Sequence, residues 1–152
     1  MRVREVMTDG VQTVRPTMPA TDAWDVMKRA RIRHLIVSQN REVVGVLSSG
    51  DTGGRAGNAV RAGKTVADLM TRRVVSVGPE DTIRSVANVM RGRSIGCVAV
   101  VDRGRLVGIL TLSDLLEVLG RGLDRPAEVV RRNLHYRVPH RKRARARAAG
   151  AW

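Results

Sequence analysis

Phenylalanine is absent from the 152 residues, and Trp24, Tyr136 and Trp152 are the only aromatic side chains. So few rings argue against a stacking platform for nucleic-acid bases, which needs several exposed aromatic faces. Cysteine occurs once, at Cys97, so neither an intrachain disulfide nor a thiolate metal cluster can form. The three histidines, His34, His135 and His140, fall at no metal-ligand spacing. No apolar run approaches the roughly 20 residues that span a bilayer, and Met1–Glu5 opens without the apolar segment of a secretory signal. The expectation is a soluble cytoplasmic protein without a membrane partner. No nucleophile–base pair stands out either, so no enzymatic activity is expected.

What the chain does have is positive charge, a formal +14, unevenly placed. Residues 121–152 hold ten of the 28 Lys and Arg residues but two of the 14 acids. Lysine accounts only for Lys28, Lys64 and Lys142. The arginine bias fits a GC-rich coding sequence as well as phosphate recognition.

The stretch GNAVRAGKT, residues 57–65, resembles a phosphate-cradling loop at first sight. That loop requires four residues between its first glycine and the Gly-Lys pair, on a turn from buried strand to helix. Five intervene here, Asn58 to Ala62, so the spacing fails.

A shift of 63 residues aligns the two halves of the chain without a gap. Val3 then falls on Val66, Met7-Thr8 on Met70-Thr71, Pro16 on Pro79, Val26-Met27 on Val89-Met90, Val44-Gly45 on Val107-Gly108, and Asp51 on Asp114. A duplicated unit explains so long a register. Each copy reads as a short strand ending at proline, a helix, two strands and a second helix. Ala20, Ala23, Trp24 and Met27 make one apolar helical face, and Ile83, Val86, Ala87 and Met90 make its counterpart. Apolar runs flank polar turns at Gln39–Glu42 and Asp102–Arg105, which predicts two hairpins. The last helix differs between copies. SDLLEVLG (residues 113–120) is apolar and capped, whereas residues 50–57, GDTGGRAG, are glycine-rich, and each glycine costs a helix about 1 kcal/mol. That helix is expected to be short, late or mobile.

These residues resemble tandem CBS domains, the pair known as a Bateman module. The likeness rests on VREVMT (3–8) with VADLMT (66–71), TVRP (13–16) with SVGP (76–79), and GVLSSGD (45–51) with GILTLSD (108–114). It implies an α+β fold of two β-α-β-β-α repeats packed as one pseudo-twofold module. Residues 1–62 would be the first CBS domain, 63–122 the second, and 123–152 a basic extension with a short helix and then disorder. Related modules pair into flat dimers, so a homodimer is implied as well.

Ser48-x-x-Asp51 and Thr111-x-x-Asp114 put a hydroxyl and a carboxylate where a strand gives way to a helix. A carboxylate there can accept both ribose hydroxyls, while the hydroxyl and the helix amides face a phosphate. The same pattern is also a capping box that satisfies the helix's own amides. The resemblance implies an adenosine nucleotide ligand, AMP, ADP or ATP, and an adenine contact from Thr13-Val14 and Ser76-Val77. These precede the prolines, which hold them extended; the alternative is that they simply end a strand. In the first copy Arg33 and His34 occupy the place where related modules carry phosphate-binding basic groups; the second has Gly96 and Cys97. The two sites are therefore unequal, and the first suits a phosphorylated ligand better. The ligand would shift the module between conformations, and a partner would read the shift.

Asp124 ahead of Pro126 marks a further helix start, and HRKRARARAAG follows it. Arg141, Lys142, Arg143, Arg145 and Arg147 leave two readings of this end: a solvated terminus, or a tether that neutralises nucleic-acid phosphates.

Overall fold

The computed structural model describes residues 1–122. The expected C-terminal helix and Arg141, Lys142, Arg143, Arg145 and Arg147 lie outside the described residues. In the first unit, strand β1 (Thr13–Val14) is followed by helix α1 (Ala20–Ala30), strands β2 (His34–Gln39) and β3 (Glu42–Ser48), and the short helix α2 (Asn58–Arg61). The second unit runs through helix α3 (Val66–Leu69), strand β4 (Ser76–Val77), helix α4 (Ile83–Arg93), strands β5 (Cys97–Asp102) and β6 (Arg105–Thr111), and helix α5 (Leu112–Arg121). The result is the expected α+β pair of repeats. Each unit carries a three-stranded sheet, ordered β1-β2-β3 or β4-β5-β6, with the first pair parallel and the second antiparallel.

Both hairpins close with two-residue turns, Asn40-Arg41 and Arg103-Gly104, whose φ angles are all positive. That left-handed pair matches the twist of the flanking strands. Helices α1 and α4 both stop at a left-handed residue, Arg31 (φ 54°) and Ser94 (φ 53°), 63 positions apart. The repeat therefore extends to backbone conformation.

The central strands read as continuous apolar runs because both of their faces are covered. On one face of β2, Leu35 and Val37 pack with Ala23 and Met27 of α1; on β5, Val98 and Val100 pack with Val86 and Met90 of α4. The alternate residues Ile36, Cys97 and Ala99 join Ile109 in a third cluster shared by the two units. This seam makes the repeats one body.

The entry segments are exchanged. Val3 is fully buried in the core of the second unit, and Val66 in that of the first. The amide of Val66 donates to the Met18 carbonyl at 2.8 Å, and that of Val3 to the Asp81 carbonyl at 2.9 Å. Lys64 O accepts from the first turn of α1, at Ala20 N, and Met1 O from that of α4, at Ile83 N. Thr71 bridges to Val46 of β3, and Thr8 to Ile109 of β6. Gly45 and Gly108 permit these crossings: a Cβ would stand 2.6 Å from Met70 Sδ at the first and 2.7 Å from Met7 Sδ at the second.

Candidate ligand site at the seam between repeats

The β3 and β6 strands end at Ser48 and Thr111, and the chain folds back on both hydroxyls. Asp51 Oδ2 accepts from Ser48 N at 2.8 Å, and Ser48 Oγ accepts from Asp51 N at 3.1 Å. In the second unit Asp114 Oδ2 accepts from both Thr111 N and Thr111 Oγ1 at 2.7 Å, and Thr111 Oγ1 accepts from Asp114 N at 3.3 Å. The second motif is the capping box of α5; the first makes the same reciprocal bonds around the turn that follows β3. Among the described residues all the carboxylate bonds fall on Oδ2, and Oδ1 of each partly buried aspartate is open to another donor. Capping and ligand binding are compatible here.

The ladders place the remaining sequence-predicted residues around these two ends. His34 stands opposite Ser48, and Cys97 opposite Thr111. Thr13 pairs with Ile36, two residues beyond His34, and Ser76 pairs with Ala99, two beyond Cys97. The hydroxyl residues Thr13 and Ser76 are exposed; Val14 is buried in the first core and Val77 packs on the second. The valines are therefore held by packing, and only their backbone can serve a ligand. Backbone bonds fix the strand entries: Arg33 O accepts from Ser49 N at 2.8 Å, and Gly96 O from Leu112 N at 3.0 Å.

The two units meet at His34. A Cβ on Gly96 would lie 3.0 Å from His34 Nε2, so the imidazole of one repeat rests against the backbone of the other. Burial lowers the His34 pKa below 6.5; the Asp51 carboxylate pulls it back up, and the Arg33 guanidinium pushes it down. Burial also raises the Cys97 thiol to about 11, aided by the charge of Asp51. Asp51 therefore acts electrostatically on groups from both units. The structure gathers His34, Asp51, Gly96 and Cys97 at the seam, with Arg33 exposed at its rim. The raised pKa makes the Cys97 thiol a weaker nucleophile than a free cysteine.

Sequence reasoning missed the group that supports the first site. Arg61 is 2% exposed, and its guanidinium donates to Thr52 O at 2.8 Å, Gly54 O at 2.6 Å and Asn58 Oδ1 at 2.8 Å, 4.7 Å from the centre of the Trp24 ring. Thr52, fully buried, donates its hydroxyl to Ser49 O at 2.8 Å. The glycine-rich stretch becomes a turn, a 3-10 helix at Gly54–Ala56 and then α2, so the expected short, late helix is found. Gly57–Thr65 carries that helix and the connector, and Lys64 is exposed, in a setting unlike a phosphate loop. The Asn58–Arg61 spacing, one helical turn, was the available signal.

A family model described as CBS domain matches twice, at residues 3–51 and 66–121. The chain belongs to the CBS domain family. Solved CBS structures share its fold. The CBS domain pair of MJ0100, in complex with 5'-methylthioadenosine and S-adenosyl-L-methionine, is 26% identical with a TM-score of 0.72, over 80% of this chain and 97% of that one. A hexameric CBS-CP12 protein from bloom-forming cyanobacteria is 28% identical with a TM-score of 0.69, over 76% of this chain and 69% of its own. A CBS-domain containing protein of Agrobacterium tumefaciens, 24% identical, superposes with a TM-score of 0.71 over 78% of this chain and 99% of that one. A search of curated protein sequences gives no match. Among the described residues, no helix is long and apolar enough to cross a membrane, and no group of three or more His, Cys, Asp or Glu could hold a metal ion.

Proposed function

We propose that this CBS pair is a non-enzymatic sensor that binds an adenosine nucleotide or a related adenosine compound at the seam and passes its occupancy to a partner. The carrying observation is that Asp51 and Asp114, just past the ends of β3 and β6, each bond through Oδ2 and leave Oδ1 open among the described residues. The adenosine compounds bound by the MJ0100 pair support this reading. Ribose hydroxyls would donate to Oδ1. Thr13, Val14, Ser76 and Val77 would offer backbone groups to the base. Arg33 and His34 would face a phosphate in the first site, where the second offers only Gly96 and Cys97. Ligand binding would shift the module only by the difference in affinity between its conformations. A homodimer would give the partner a second copy of each site.

Titration calorimetry with AMP, ADP, ATP and S-adenosylmethionine tests the reading. Heat is expected with at least one of them, and Asp51→Asn and Asp114→Asn should each remove one site while keeping an acceptor for the cap. Absence of heat with all four would refute it. A second role rests on the ten Lys and Arg residues within 121–152: a nucleic-acid tether through Arg141, Lys142, Arg143, Arg145 and Arg147. Removal of residues 137–152 should then abolish salt-sensitive retention on DNA or RNA.

A further inference from the structure

His34 sits where the two repeats touch. It opens β2 opposite Ser48, and its Nε2 and Cε1 would lie 3.0 and 3.2 Å from a Cβ on Gly96, so the ring edge occupies room that a side chain at 96 would contest. Among the described residues neither ring nitrogen holds a hydrogen bond, and no buried side-chain nitrogen lacks a partner, so both nitrogens keep some access to solvent. An imidazole that serves only packing usually commits a nitrogen to a neighbour.

The charges around the ring are unequal. Burial lowers the His34 pKa, Asp51 in the turn after β3 raises it, and Arg33 beside it lowers it. Across the seam stand Cys97, which keeps its proton up to about 11, and the start of α5, where Asp114 is engaged by Thr111. Burial wins, so the imidazole is mostly neutral at pH 7. A phosphate beside the ring would reverse that balance, since an opposite charge within about 4–6 Å favours the charged form. Asp51 is close enough to act on the charge of His34, so a ribose held on its Oδ1 brings a 5′-phosphate into the same neighbourhood.

We propose that His34 makes the first site proton-linked: the imidazole takes a proton from solvent when a phosphate-bearing adenosine compound binds, so the site selects the phosphate and holds it more tightly as pH falls. The inference rests on the reading of Asp51 as the ribose-binding carboxylate. The second site has no counterpart, because Cys97 stands 63 positions after His34 and its thiol already carries its proton. A one-unit rise in the His34 pKa on binding would tighten binding by up to about tenfold on acidification.

Proton NMR of the full chain carrying His135→Gln and His140→Gln tests this, since His34 then gives the only imidazole signals. Saturating AMP should raise the His34 pKa by at least about half a unit, and saturating adenosine, which lacks the phosphate, should not. Calorimetry on the same protein gives the occupancy. Heat with AMP beside an unmoved His34 pKa would overturn the proton linkage and leave the sensor reading standing. Equal rises with AMP and adenosine would overturn it too, and so would heat with S-adenosylmethionine alone, a ligand without a phosphate. Absence of heat with AMP, ADP, ATP and S-adenosylmethionine would instead remove the sensor reading, and the linkage with it. Affinity reads the same device: between about pH 7.5 and about pH 6, AMP binding should tighten at least about threefold more in the parent than in His34→Gln. Identical pH profiles in the two proteins would overturn the linkage.

Discussion

Replacing Arg61 by alanine should unfold the first site before the rest of the module. The guanidinium makes three hydrogen bonds and lies against Trp24, all from a position 2% exposed. Bonds to a charged group contribute about 1.5–3 kcal/mol each, and stacking on an indole about 1 more. Desolvating the cation offsets several kcal/mol of that gain. Truncation also strands the carbonyls of Thr52 and Gly54, of which only the partly exposed Gly54 can turn to water. The net loss expected is about 3 kcal/mol, or a Tm lower by about 6–12 °C in a chain of this size. Arg61→Lys keeps the charge without the planar fork and should recover at most half. Urea denaturation followed by circular dichroism measures both variants. A loss below about 1 kcal/mol for Arg61→Ala would refute the reasoning, since it would mean that the turn after Asp51 holds itself.

At the crossing points, Gly108→Ala would press a Cβ to 2.7 Å from Met7 Sδ and 3.1 Å from Thr8 O. The methionine can move but the carbonyl cannot, so a cost of about 1–3 kcal/mol is expected by denaturation. Gly92→Ala lies inside α4 with nothing within 4 Å and should stabilise by about 0.5–1 kcal/mol. His34 binds its proton more weakly folded than unfolded, so its contribution is complete above 6.5 and lost as pH falls through the lowered value. Stability measured at decreasing pH should therefore fall less steeply in His34→Gln than in the parent. Cys97, at about 11 against an ordinary 9.0, should alkylate at pH 8 about 100-fold more slowly than a free thiol, and at the ordinary rate in urea.

Local order was legible wherever the two copies agree. Apolar spacing marked α1 and α4, and the polar turns marked both hairpins, because these elements are set by period and by two-residue turns. The hydroxyl–carboxylate pairs could be located from their spacing, which fits capping and ligand binding alike; in the fold their local bonds take one carboxylate oxygen of each aspartate. Arg61 stayed hidden because an arginine in a glycine-rich stretch reads as solvated. Its burial follows from what the first unit lacks. The second unit has the apolar α5 beside α4, whereas the first presents Trp24 to a segment without apolar side chains of comparable size, and Arg61 covers the ring instead.

The exchange of entry segments could not be read from the repeat at all. A shift of 63 residues aligns Val3 with Val66 whether each packs on its own sheet or on the other. The choice is made by the connection after α2, which delivers Lys64, Thr65 and Val66 to the first turn of α1 and to Met18. Met1, Arg2 and Val3 repeat those contacts on Ile83, Thr82 and Asp81, at the start of α4. Each core thus includes a valine from beyond its own hairpin, and neither unit retains a complete core if the other opens. The seam contacts at His34, Gly96 and Cys97 tighten the same coupling. A change in how Asp51 is held would then be felt across the seam, which is the property a two-site sensor requires.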